Sequence, residues 1–252
     1  WSSAGYERTV VFLHGLCLTR KAWDVHTREL LRRSGTETRV VSYDHRGHGA
    51  SGSSARDSYH VGQLATDLDH VLAALRVRGP VILVGHSMGA MTALEYVTGS
   101  GRSCDVAGLV LCATAAGHLA AQGIGRLLEI PSAVAVADAL ARCPDRAGGA
   151  LSAPLRLALD RVAAAGRGRS ATLAGVFAEA LETNPLSTAV GFLTSLRDFD
   201  RTPQLSSITA RTTILSGGTD MLTPPSLSRE MEASIPGATH IHIPTAGHML
   251  QQ

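Results

Sequence analysis

The sequence predicts an α/β fold, a mostly parallel and doubly wound sheet with a helical cap insertion, and three observations predict it. Strand-sized apolar runs alternate with helix-period stretches along most of the chain, which is the pattern of strand–helix–strand crossovers in a parallel sheet. The alternation breaks once, over nearly a hundred residues between "AGLVLCA" (107–113) and "RTTILSG" (211–217) that carry helical patterns and no convincing strand. At 252 residues the chain is long enough for one large domain with such an insertion, and two unrelated domains are not expected.

The strand candidates in order are "TVVFL" (9–13), "TRVVSYD" (38–44), "PVILVG" (80–85), "AGLVLCA" (107–113), "RTTILSG" (211–217) and "HIHIP" (240–244). Between them, "VGQLATDLDHVLAALRV" (61–77) and "AMTALEYVT" (90–98) place apolar residues at i, i+3 and i+4 and predict helices. Residues 1–116 and 201–252 therefore form the core, and residues 117–200 the helical cap. An insertion leaving the carboxyl end of a strand lies over the site that such sheets build there.

Composition removes several classes of function. The net charge is +2, no run of basic residues occurs and aromatics make up 4%, so nucleic acid is not an expected partner. No apolar stretch approaches the roughly 20 residues that cross a bilayer. Cys17, Cys104, Cys112 and Cys143 show neither C-x-x-C nor zinc-ligand spacing, and three of them fall in or beside apolar segments. Reduced, structural thiols and a cytoplasmic location are the expectation.

The chemistry concentrates around "VILVGHSMGA" (81–90), where an apolar strand runs into a helix through Gly85-His86-Ser87-Met88-Gly89. A serine nucleophile must hold its hydroxyl clear of the sheet, and a sharp strand-to-helix turn does this at the cost of strained backbone angles. Glycines two positions to either side relieve the crowding. The helix that follows also aims N-terminal N–H groups at charge developing near the serine.

The serine hydroxyl needs a histidine to take its proton, and the histidine needs a carboxylate to hold its tautomer. Asp220 lies just past the strand "ILSG", and His248, in "PTAGHM", lies past the next. His240 and His242 alternate within a strand and are expected to pack or face solvent, and His86 is expected to be structural. Asp198 and Asp200 follow no strand and rank below Asp220. The oxyanion donors are expected to be the N–H of Met88, next to the nucleophile, and that of Leu16, beyond the tight turn His14-Gly15. Cys17 has no base assigned to it and is expected to line the pocket rather than react. "DHRGHGAS" (44–51) groups Asp44, His45, Arg46 and His48 without a ligand geometry for metal, and reads as an ordered turn beside the site.

Together, "FLHGLCLTRKAW", "YDHRGHGAS", "VGHSMGAMTALEY", "GGTDMLTPP" and "PTAGHM" resemble the α/β-hydrolase superfamily, in particular its capped esterase, lipase and cofactor-free perhydrolase-like members. The resemblance covers essentially the whole chain outside the cap and implies the same five residues in the same roles. It implies a small-molecule acyl ester as substrate, with neither metal nor organic cofactor. Ser87 disfavours relatives with a nucleophilic aspartate, the dehalogenases and epoxide hydrolases. The expected activity is serine-dependent carboxylic ester cleavage. The alternatives are thioester, amide or carbon–carbon bond cleavage or perhydrolysis by the same triad, and a ligand-binding member of slow turnover. Apolar cap residues, Leu119, Ile124, Phe177 and Phe192 among them, are candidate contacts for a hydrophobic group of the substrate. Members of the superfamily usually open with an antiparallel hairpin and close with a helix after the catalytic histidine. About eight residues precede the first strand here and the chain stops at Gln252, so a longer parent protein is expected.

Overall fold

The computed structural model describes residues 8–122 and 186–251. Their six strands are β1 (Arg8–Leu13), β2 (Thr38–Ser42), β3 (Val81–His86), β4 (Val106–Cys112), β5 (Arg211–Gly217) and β6 (Thr239–Ile243). All adjacent pairs are parallel, in the order β2-β1-β3-β4-β5-β6. The five helices described are α1 (Asp24–Ser34), α2 (Val61–Ala74), α3 (Met88–Thr98), α4 (Leu186–Asp198) and α5 (Pro225–Ser234). The predicted sheet is therefore present, with strand ends displaced by a residue or two and β5 matching its predicted span.

Alternation along the strands divides the core in two, because successive side chains point to opposite faces. Val11 and Leu13 of β1, Leu83 of β3, Leu109 and Leu111 of β4 and Ile214 of β5 face one side. They pack there with Leu64, Leu68 and Leu72 of α2, Met91 and Leu94 of α3, and Leu227 and Met231 of α5. The i, i+4, i+8 spacing of the α2 leucines gives one apolar stripe, and all three are fully buried. Truncating one, as in Leu68→Ala, costs about 2–5 kcal/mol. Val10 and Phe12 face the other side, with Trp23 and Leu30 at and within α1. His60 starts α2 by accepting the Gln63 N–H on its Nδ1 at 3.0 Å, a capping bond that satisfies one otherwise orphaned helix donor.

The strand order reverses beside β1: the chain steps from β1 outward to β2, then crosses back to β3 on the other flank. Helices α1 and α3 consequently lie on opposite faces of the sheet, and the carboxyl ends of β1 and β3 mark the reversal, where open α/β sheets place their ligand sites. Leu13 pairs with Gly85, so the loop after β1 emerges next to Ser87.

Of the segment predicted as a cap, residues 123–185 lie outside the described residues. Its final part is helical: α4 packs onto the start of α2, with the Val61 N–H donating to Ser195 Oγ at 2.9 Å. No helix among the described residues is long and apolar enough to cross a membrane. Cys17, Cys104 and Cys112 are buried and in no disulfide among the described residues, and Cys143 lies outside them.

Candidate active site

Ser87 is the bend between β3 and α3, with φ 51° and ψ −118°. A non-glycine residue in that region is strained by roughly 1–3 kcal/mol and persists only where its surroundings over-determine it. Here the Ser87 N–H donates to the Cys112 carbonyl at 2.9 Å, and the Thr114 hydroxyl donates to the Ser87 carbonyl at 2.9 Å, so the end of β4 fixes both sides of the residue. The flanking glycines are required by contact. A Cβ on Gly85 would lie 2.5 Å from the Ala90 nitrogen, and one on Gly89 would lie 2.5 Å from the Leu13 carbonyl carbon.

The loops after β5 and β6 are fastened to each other before they reach the serine. Gly218 N–H donates to the Ile243 carbonyl, and the Thr219 N–H and hydroxyl both donate to the Ala246 carbonyl, each at 2.9 Å. This places Asp220 Oδ2 2.9 Å from His248 Nδ1, with both residues buried. Asp220 Oδ1 also accepts the N–H groups of Leu222 and Thr223 at 2.9 Å, and Oδ2 accepts the Thr223 hydroxyl at 2.6 Å. Burial alone would raise the Asp220 carboxyl, yet the bonds from His248 and Thr223 outweigh it and hold the group below the usual carboxylate range. The carboxylate stays charged and accepts the His248 Nδ1–H, so in the neutral imidazole the unprotonated nitrogen is Nε2. The Ser87 hydroxyl makes no hydrogen bond among the described residues, a looseness common before substrate tightens such a site.

His86, expected to be structural, ties the two halves of the site together. Its Nε2–H donates to the His248 carbonyl at 2.9 Å, and the two rings sit 5.0 Å apart. Burial pushes its imidazole down to about 3, so it stays neutral and its tautomer is set by that bond.

On the opposite flank, Gly15 lies against the serine: a Cβ there would fall 3.3 Å from Ser87 Cβ. The N–H groups of Leu16 and Met88 make no hydrogen bond among the described residues. The "DHRGHGAS" turn supports this flank, as its sequence suggests. His14 Nε2 accepts the His45 N–H at 2.9 Å, and His48 Nε2 accepts the Cys17 N–H at 3.0 Å. Asp44 accepts the N–H groups of Arg20 at 2.7 Å and Ala50 at 3.0 Å, and Arg46 pairs with Asp67 at 2.5 Å. Among the described residues no group of three or more His, Cys, Asp or Glu side chains is arranged to hold a metal.

Cys17 is buried, and desolvation pushes its thiol up to about 12, which removes it as a nucleophile near neutrality. Leu119 is partly buried against the core, while Phe192 of α4 is fully buried, 5.2 Å from the Tyr59 ring and 6.0 Å from the His48 ring. That position gives Phe192 a packing role. Ile124 and Phe177 lie outside the described residues. Asp198 pairs with Arg197 and Asp200 accepts the Thr202 N–H, so neither joins His248. His240 and His242, on one face of β6, lie 2.7 and 3.0 Å from the Ser216 hydroxyl oxygen, His240 half-buried and His242 exposed. A cleft of about 590 Å³ between the start of α2 and α4, with His60, Glu95, Thr194 and Arg201 in its wall, includes none of Ser87, Asp220 and His248.

Known proteins share this architecture and parts of the sequence. The chain is 24% identical to a hydrolase from Pseudomonas aeruginosa, with a TM-score of 0.73 over 98% of this chain and 85% of the other. It is 23% identical to an esterase from Exiguobacterium antarcticum, with a TM-score of 0.71 over 96% and 85%. By sequence it is 27% identical to the proline iminopeptidase PfmaB of Pestalotiopsis fici across 85% of this chain and 76% of that enzyme. It is 37% identical to the non-heme chloroperoxidase CPO-A1 of Kitasatospora aureofaciens across 39% of this chain and 34% of that one. The family model described as the alpha/beta hydrolase family matches residues 10–252. With the sheet, the strained serine turn and the buried Asp–His pair in place, the chain belongs to the α/β hydrolase family.

Proposed function

We propose that this protein is a serine hydrolase that cleaves carboxylic esters by way of an acyl-enzyme, with Ser87 as nucleophile, His248 as base and Asp220 as the acid that orients it. The observation that carries the reading is the left-handed φ of Ser87 at the strand–helix turn, a strain with no structural benefit unless the hydroxyl must stand clear of the sheet. In the forward step His248 Nε2 takes the hydroxyl proton as Ser87 Oγ bonds to the ester carbonyl carbon. The charge that collects on the carbonyl oxygen meets the N–H groups of Leu16 and Met88. His248 then gives its proton to the departing alkoxide, and water, deprotonated by the same nitrogen, releases the acid and restores Ser87. Residues 117–200 act as the cap over this site, and the core comprises residues 1–116 and 201–252. The similarity to a proline iminopeptidase across most of the chain supports a second reading, amide cleavage by the same residues.

Both readings are tested by turnover of p-nitrophenyl esters from acetate to long-chain acyl groups and of aminoacyl p-nitroanilides, beside Ser87→Ala. Ester turnover abolished in the variant is the expected result, and the chain-length profile then sizes the acyl pocket. Anilide turnover that exceeds ester turnover selects the second reading. Turnover that survives in Ser87→Ala refutes both.

A further inference from the structure

We infer that His48 is a positioning residue for the oxyanion loop, its Nε2 holding the central peptide of the Gly15–Leu18 turn in the orientation the site uses. The inference rests on the proposed hydrolase reading, in which the N–H of Leu16 faces the substrate oxygen. The Leu18 N–H donates to the Gly15 carbonyl at 3.2 Å, closing a four-residue turn with Leu16 and Cys17 at its centre. Cys17 has φ 62°. A positive φ at the third position is the mark of a type II turn, where glycine is the usual residue because a side chain is strained there. The type I turn, which suits a cysteine better, differs by turning over the Leu16–Cys17 peptide.

The N–H of that same peptide donates to His48 Nε2 at 3.0 Å. An N–H donor requires an unprotonated Nε2, and the ring is set to supply it: Nδ1 carries the proton and donates to the Arg46 carbonyl at 2.9 Å. His48 is almost wholly buried, with the His14 ring 5.2 Å away and the Phe192 ring of α4 6.0 Å away. The acceptor is therefore fixed in tautomer and position before substrate arrives. It selects the strained turn over the relaxed one and consumes the Cys17 N–H, leaving that of Leu16 for the oxyanion.

Kinetics on a p-nitrophenyl ester with the full chain, Ser87→Ala, His48→Phe and His48→Gln test the assignment. Phenylalanine keeps the ring volume but has no acceptor, whereas the glutamine amide oxygen can replace Nε2. The expected result for His48→Phe is a kcat lower by on the order of 10–100-fold with KM little changed, since the lost interaction belongs to the transition state. His48→Gln recovers most of that loss. Full kcat in His48→Phe, or equal losses in both variants, overturns the assignment while leaving the nucleophile reading intact. Turnover that survives in Ser87→Ala is instead a failure of that reading. If neither His48 variant folds, the ¹⁵N spectrum of the unaltered protein decides: a neutral Nδ1–H tautomer at His48 is expected, and Nε2–H overturns it.

Discussion

The two flanks of Ser87 solve opposite electrostatic problems with similar residues. On the β5–β6 flank a buried carboxylate faces a histidine, and the pair is built around a charge: Asp220 accepts three bonds from Leu222 and Thr223 besides its contact with His248. On the β1–β2 flank the His14 ring meets that of His45 tilted at 4.5 Å and that of His48 edge-on at 5.2 Å, and His14 and His48 accept backbone N–H groups on Nε2, which requires an unprotonated nitrogen there. A group that moves a proton needs a counter-charge beside it. A group that only holds backbone in place is better uncharged, because a buried cation costs far more than a buried imidazole. In the mechanism proposed above, the same residue type is thus a base in one loop and a structural acceptor in the other, and its partner decides which.

Removing the charge on the first flank has the largest expected effect. Asp220→Asn keeps the shape but lets His248 adopt the wrong tautomer, and kcat should fall by about 10⁴-fold with little change in fold, as read by steady-state kinetics and circular dichroism. A loss below tenfold would mean that His248 does not depend on Asp220. Gly89→Ala strikes the turn both flanks share, driving a Cβ into the Leu13 backbone. It should lower stability by roughly 3 kcal/mol, visible as a displaced urea midpoint. A midpoint equal to that of the unaltered chain would show that the turn can relax around the extra carbon.

Acid separates the flanks differently. Burial is the largest cause holding His14 and His86 down at about 3 from an ordinary 6.5. Below pH 6.5 the unfolded chain takes up protons that these buried rings refuse, so their contribution to stability is full above that pH and is lost as the pH falls toward 3. Each supplies up to about 1.4 kcal/mol per pH unit in the window. The depressed Asp220 carboxyl adds to the loss only below its ordinary 3.8. Urea melts between about pH 7 and pH 5 should therefore already show falling stability, and a flat profile would contradict neutral buried histidines. The smallest effect is expected from Thr223→Val, which removes one of several bonds to Asp220: about 1–2 kcal/mol of stability and a several-fold lower kcat.

Much of this could be read in the chain because it is local. The spacing of Gly85, Ser87 and Gly89 after an apolar run carries its own geometry, and Asp220 and His248 each follow a strand whose β-branched residues announce it. The helix after Ser87 starts at Met88 rather than Ala90 because the strained serine is itself the hinge. Helix α1 has no buried residue and so no apolar stripe to reveal it. The support beneath the site was out of reach for another reason. The bonds from His86 to the His248 carbonyl and from the Cys17 N–H to His48 join residues far apart in sequence, and no local pattern records which backbone group a buried imidazole meets. Thr223 was hidden too, since its hydroxyl matters only once the loop after β5 has turned back on Asp220.

Mass spectrometry of the protein quenched during turnover of a p-nitrophenyl ester, with a fluorophosphonate-treated sample in parallel, would locate the acyl group proposed to sit on Ser87. An acyl adduct and a phosphonyl adduct are expected on the peptide containing Ser87, with both absent in Ser87→Ala. An adduct on any other residue, or turnover with no adduct at Ser87 under either reagent, would rule Ser87 out as the nucleophile.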